Sequence, residues 1–423
     1  MAKPKLALIP AAQGTKFYSV LPSDGVGDFT FARGSVATRI NAQGLIENVA
    51  SGVSRLDYPM IDGVVKGCPH HILEPVRTNV FQRSEEFSNA YWSTSRIETP
   101  YIANVVSPDG TLNAYTLEIS NGETNGGGVY RTGISISGDN SWSVFAKKKT
   151  ANYLVLADTG TTTNAVYFDL ENGTVGTTYN ATGEIQYFGN GWYRCTMKYT
   201  LTSSGIKFIY LSNLDGATNG GVQGGDSIYI YGAMLEEGSH STSYIPTSGT
   251  AVTRSAETAN GAGNASTFND SEGVLMAEIS ALANDGTDRA ITISDGTSSN
   301  RVTFYYGASS TLNYNIYSGG LVSFGSLTIP NISAFSKFSI KYKSNDFAFW
   351  VNGFEVHTDS SGNSPTGLDR LNISTFNASG AFFYGNTKQV QYFDSALDSE
   401  QLEQLTSWTS FTDMAEGQLY TIE

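Results

Sequence analysis

Apolar and polar positions alternate with a period of two through most of the chain, the pattern of strands with one buried face. In "AVYFDL", Val166, Phe168 and Leu170 share a face; in "SIYIYGAML", Ile228 and Ile230 face one way and Tyr229 and Tyr231 the other. Further runs of strand length, "SWSVFAKKK", "NYLVLADTG", "GWYRCTMKYTL" and "IKFIYLSN", are separated by Gly, Asn and Asp turns. Such spacing, with no helical stretch between, predicts a β-sandwich over residues 84–258. After "ANGAGNASTFNDSEG" the pattern restarts with "GVLMAEIS", "RAITISDG", "NRVTFYYG" and "LNYNIYSG", predicting a second sandwich over 259–423. Within it "WVNGFEV" places Asn-Gly between apolar alternators, a strong hairpin signal. A helix is predicted last, at "DSEQLEQLTSW", with Asp398 as N-cap, Gln401 three residues on, and Leu402 and Leu405 on one face.

Residues 1–83 lack steady alternation. In "DFTFARGSVATRINAQGLIENV" Phe29 and Phe31 alternate with polar neighbours, and "NAQG" reads as a turn between two short strands. The apolar residues here are too few for a core, which predicts an extended segment ordered by a surface outside itself, for attachment or oligomerisation. The small polar residues from about Asn260 to Glu272 predict a mobile linker.

Composition agrees with an all-β reading. The 423 residues include 45 Gly, 24 Tyr and 22 Phe, with charged residues at only 15%. A net charge of −14 speaks against nucleic acid, since phosphate contact needs a basic patch and the nearest run is Lys147 to Lys149. Cys68 and Cys195 are the two cysteines, which excludes a disulfide-rich scaffold. The opening "MAKPKLALIPAAQG" has no apolar run of leader length and no segment is long and apolar enough for membrane insertion, so synthesis in a cytoplasm is expected.

Two groups of motifs resemble known families. "ARGSVATRINAQGLIENVASGVSRLDYP", "ILEPVRTNVFQRSEEFSNAYWS", "NGWYRCTM" and "IYIYGAMLEEGSHSTSYIPTSGTAVTRSAE" are similar to phage tail and virion structural proteins, in which an extended lead precedes carbohydrate-binding-module-like jelly rolls. "FSIKYKSNDFAFWVNGFEV" and "FYGNTKQVQYFDSALDSEQLEQL", with the closing helix, resemble a concanavalin A-like, laminin-G-like jelly roll. The resemblance implies a virion protein made in a host cytoplasm, with other virion proteins as partners and a trimer as the favoured homo-oligomer. It also makes "GSVATR" and "GTAVTR" straps at module boundaries. Physically, β-branched residues extend such a strap, and Arg39 or Arg254 can fix it to carboxylates or carbonyls of the neighbouring domain.

Candidate chemistry is sparse. A glycosidase on a concanavalin A-like fold begins its signature Glu-x-Asp, and no glutamate here has an aspartate two residues later, so no enzyme is expected. His70, His71, His240 and His357 have no partner at metal-ligand spacing and read as surface or interface residues. The loops around Asp109, Glu123 and Asp215 are oxygen-rich enough for a structural calcium, although ordinary turns explain them too. No other cofactor is expected. For sugars, the face opposite Val302, Phe304, Leu312, Tyr314 and Ile316 would present Thr303, Tyr305, Asn313, Asn315 and Tyr317, suited to a glycan or to a subunit interface.

The expectation is therefore an all-β virion protein, an extended N-terminal segment followed by two β-sandwich jelly rolls and one short C-terminal helix. It would act as a fibre, spike or decoration protein contacting host-surface glycans. The rivals are a purely architectural virion protein without sugar binding, and a bacterial carbohydrate-active enzyme or its binding module.

Overall fold

The computed structural model describes residues 3–10, 19–160, 163–201, 205–217, 219–308, 310–410 and 412–414. Part of the opening stretch read for a leader, and residues 415–423, lie outside the described residues. The fold is all-β, with 34 strands among the described residues and a helix at Ser399–Thr406. No helix among the described residues is long and apolar enough to cross a membrane.

The first sandwich stacks two six-stranded antiparallel sheets. One runs Ser93–Ser95, Gly127–Arg131, Ile206–Ser212, Tyr153–Thr159, Thr163–Asp169, Thr174–Tyr179; the other runs Tyr101–Ile102, Tyr115–Glu118, Ser227–Glu237, Gly138–Lys148, Trp192–Leu201, Thr182–Tyr187. Their inward residues fill one core in which Trp142, Val166, Phe168, Ile228 and Ile230 meet, as the period-two pattern requires. Tyr231 points out of the opposite face into a smaller cluster with Phe145, Phe188, Tyr244 and Ile46.

In the second sandwich a seven-stranded sheet faces a nine-stranded one. The predicted hairpin forms between Phe347–Val351 and Phe354–Asp359, with Asn352 at φ 48° and Gly353 at φ 87°, the left-handed pair that a two-residue turn demands. At the closing helix the Asp398 carboxylate accepts from the Gln401 N–H and the Gln401 side chain accepts from the Asp398 N–H. Leu402 and Leu405 then pack on Val274, Met276 and Trp350, covering one outer face of the sandwich.

The separation into 1–83, 84–258 and 259–423 needs correction, because the first part does not wait for another chain. Leu6–Leu8 and His70–Leu73 pair in tandem along one edge of Gly385–Phe393, and Thr30–Ala32 pairs with Thr258–Ala262. The segment thus supplies edge strands to both sheets of the second sandwich. Ala37–Ile40 and Ile46–Val49 form a hairpin that lays Ile46 on the first sandwich, and Phe81 enters that sandwich's core. The scattered apolar residues were too few for a core of their own, yet enough to complete two others. Likewise the predicted linker begins inside the strand Thr258–Ala262, and Phe268 is buried in the second core.

Candidate functional site

The two straps meet where the N–H of Ser255, directly after the second, donates to Ser35 Oγ of the first at 2.9 Å. Thr38 Oγ1 donates to the Tyr244 carbonyl at 2.5 Å, and Arg55 Nη1 donates to the Thr38 carbonyl at 2.8 Å. Behind them is a charge cluster sealed from solvent: Arg33, Arg55 and Arg254 with Glu74 and Glu257. Glu257 Oε1 accepts from Arg33 Nη1 at 2.6 Å and Arg55 Nε at 2.9 Å; its Oε2 accepts from Arg55 Nη2 and from the Glu74 N–H. Glu74 Oε2 takes Arg55 Nη2 at 2.8 Å and Arg254 Nη1 at 2.9 Å, while Ser243 bonds both its oxygens. Burial works to raise the Glu74 carboxyl, but Arg254 and Arg55 overcome it and hold the group well below its usual range. Arg254 therefore sits at the centre of the junction. Arg39 does not reach another module; it pairs with Glu47 of its own hairpin at 2.6 Å and with the Leu56 carbonyl. Arg33, Arg55, Glu74 and Glu257 carry the junction and were missed by sequence reasoning, because up to 224 residues separate the partners.

His70, His71 and His240 are buried rather than on the surface. Being adjacent on a strand, His70 and His71 point apart, one against Phe335 and the other against Phe31. Burial pushes each of them down to about 3, so both are neutral at ordinary pH. His357 bonds the Tyr314 hydroxyl through Nδ1 at 2.5 Å.

Asp57, 3.7 Å from His70, moves the opposite way: burial raises it to about 7, against the Ile40 N–H it accepts and the nearby Arg55 and Arg39, with Glu74 adding to the rise. An acid raised on folding contributes stability that is complete below its unfolded value near 3.8 and is lost as pH climbs through about 7. Asp57→Asn is accordingly expected to match the native chain in urea unfolding at about pH 3 and to exceed it at pH 8 by about 2–4 kcal/mol. Equal stabilities at pH 8 would contradict the assignment.

The five residues predicted for glycan contact do share one face of the second sandwich: Thr303 lies opposite Asn315, Tyr305 opposite Asn313, and Tyr317 opposite Arg301. That face is drier than expected, however. Thr303 and Asn313 are buried, and Tyr305, Asn315 and Tyr317 are only partly exposed. Phe324 faces Asn315 from the next strand, and the Arg301 guanidinium lies 3.7 Å over the Tyr317 ring and 5.4 Å from Phe376.

The calcium candidates have separate partners. Asp109 Oδ1 accepts from Ser107 and Thr111, and its Oδ2 accepts from Asn113 and Tyr231, so its oxygens are engaged by the protein. Glu123 stands 4.0 Å from Arg96, and Asp215 Oδ1 accepts from the Thr177 N–H at 2.7 Å. Among the described residues no three His, Cys, Asp or Glu side chains are grouped to hold a metal.

A stronger ligand surface lies on the outer face of the first sandwich, on the sheet containing Tyr153–Thr159. Its register sets Tyr130, Phe208, Ala157, Ala165 and Tyr179 in one row and Gly128, Tyr210, Val155 and Tyr167 in the next. All alternate with core residues such as Leu154, Leu156 and Ile209, so they point away from the core. Val155, Ala157 and Ala165 form a buried floor, while Tyr130, Phe208, Tyr210 and Tyr179 remain exposed in part and rise around it. The Tyr130 and Phe208 rings are 5.1 Å apart, and the Tyr167 and Tyr210 hydroxyls meet at 3.1 Å. Burial pushes the Tyr210 phenol up, keeping it protonated as a donor. Gly128 is required here: a Cβ would fall 2.0 Å from the Ile209 carbonyl oxygen. Asp215, from the calcium candidates, hangs at this rim beside Gly176. The result is a shallow aromatic trough whose small-residue layer lies buried beneath the rings, with hydroxyls and one carboxylate at the rim.

No protein-family model matches the sequence, and no curated protein does. Among solved structures, the chain is similar to the CBM40 module of Ruminococcus gnavus IT-sialidase, with 12% identity over 35% of this chain and 94% of that one at a TM-score of 0.30. The same module bound to alpha2,3 sialyllactose aligns at 14% identity, with the same coverage and TM-score. Domains LG4-5 of the mouse laminin alpha1 chain align at 11% identity over 65% of this chain and 90% of that one, with a TM-score of 0.25.

Proposed function

We propose that this protein is a phage virion structural component, a fibre, spike or decoration protein, whose first jelly roll contacts host-surface glycans through the aromatic trough. The trough carries the reading: sugars present flat CH-rich faces that stack on aromatic rings, while their hydroxyls need donors and acceptors at the edge. Phe208, Tyr130 and Tyr179 supply the rings, and Tyr210, Tyr167 and Asp215 supply the polar rim. Placement on the particle rests on the resemblance of the strap motifs, and the role is binding rather than hydrolysis.

On a glycan array, Phe208→Ala and Tyr210→Ala are each expected to weaken binding about tenfold, the effect of losing roughly 1.4 kcal/mol of stacking, with bound glycans recovered intact. Binding that survives both substitutions rules out the trough. Mass spectrometry of purified particles checks the location. Glycan binding by a chain absent from particles would hand the assignment to a bacterial carbohydrate-binding module.

A further inference from the structure

Where the N-terminal segment and the two sandwiches meet, they leave a cleft of about 710 Å³. We propose that this cleft is a second binding site, separate from the trough, for a compact saccharide bearing a carboxylate. Its volume lies within the range of small-molecule sites, which favour such junctions.

The sign of the ligand follows from which charges are already satisfied. Of the lining carboxylates, Asp57 accepts from the Ile40 N–H at 2.7 Å and Asp413 from the Thr409 hydroxyl at 2.9 Å, Glu74 is held by Arg55 and Arg254, and Glu278 by Lys388 at 3.3 Å and the Gln389 amide at 2.8 Å. Arg194 lines the same cleft and belongs to none of these pairs. Its Nη2 donates to Ser143 Oγ, Ser241 Oγ and the Thr242 carbonyl, all neutral acceptors, and its Nε is buried without a hydrogen-bond partner. Burial disfavours the guanidinium charge more than the distant Glu236 and Glu74 restore it. A carboxylate would supply the missing acceptor in the two-pronged geometry guanidinium prefers.

The remaining lining fits the rest of a sugar. His70, neutral and 3.7 Å from Asp57, stands in the lining beside Asn386. Asn386 and Gln186 add amides, and Phe335 and Phe188 add apolar faces. The groups come from all three parts of the chain, so the site exists only in the assembled molecule.

Isothermal titration of the full chain with digalacturonate and with its dimethyl ester tests the assignment. The acid is expected to bind at least about tenfold more tightly than the ester, and Arg194→Gln is expected to erase that preference. Phe208→Ala should leave it intact, because that ring belongs to the trough. Should Arg194→Gln fail to fold, Ser241→Trp, which fills the cleft from a partly exposed position, must abolish acid binding. Equal affinity for acid and ester, a preference that persists in Arg194→Gln, or no heat from millimolar acid overturns the proposal. A blank glycan array alongside acid binding would sink only the trough.

Discussion

Removing residues 1–83 is expected to unfold the second sandwich rather than release it. The deletion strips Leu6–Leu8 and His70–Leu73 from the edge of Gly385–Phe393 and Thr30–Ala32 from Thr258–Ala262, leaving buried backbone donors and acceptors without partners. It also takes Leu6, Leu8 and Leu73 out of the main core of that sandwich. At roughly 1.5–3 kcal/mol for each fully buried leucine, those three side chains alone contribute about 5–9 kcal/mol, against a whole-domain stability of about 5–15 kcal/mol. Calorimetry of the chain from residue 84 onward should therefore show no cooperative transition for the second sandwich and a lowered one for the first, which loses Phe81 from its core. Two transitions at native temperatures would mean that the N-terminal strands are ornamental.

Glu257→Ala should cost about 3–5 kcal/mol, the usual effect of removing one partner from a buried ion pair, because it leaves the buried Arg33 with no carboxylate and Arg55 with Glu74 alone. Urea unfolding measures the loss, and hydrogen exchange should place it in the straps, with amide protection falling in the hairpin of Ala37–Ile40 and Ile46–Val49. Arg39→Ala is the matched control. Its partner Glu47 is more than a third exposed, and removing such a pair should shift stability by less than about 1 kcal/mol. If Glu257→Ala is as mild as Arg39→Ala, the cluster is incidental to docking.

Local features were legible in the sequence because their physics is local. The Asp398 capping box, the Asn352-Gly353 turn and the inward faces of Val166 and Ile228 each follow from neighbours within a few positions. The likeness of "GSVATR" to "GTAVTR" pointed to the right region but to only one of its arginines. Arg39 and Arg254 occupy matching places in the motif, yet the choice between them depends on where Glu74 and Glu257 arrive in space. The trough was missed for a similar reason. Tyr130, Phe208, Tyr167 and Tyr179 are spread over nearly eighty residues, and only the register of five strands places them around Ala157 and Ala165. The glycan face on the second sandwich was found by alternation, which tells which residues share a side but not that Phe324 would flank it or that Arg301 would lie against Phe376.

The pairing of Leu6–Leu8 with Gly385–Phe393 also sets a timetable for synthesis. At about 5–20 residues per second, a ribosome needs roughly 20–75 s to travel from the first of these strands to the second. The first sandwich is complete in sequence long before then. The opening strands must wait through that interval with their leucines uncovered, and their pairing is among the longest-range contacts a chain of this length can make, the kind that slows folding most. A strand that leaves the ribosome late is thus the template on which much earlier ones settle, and nascent chains stalled before residue 385 should be the form that chaperones hold.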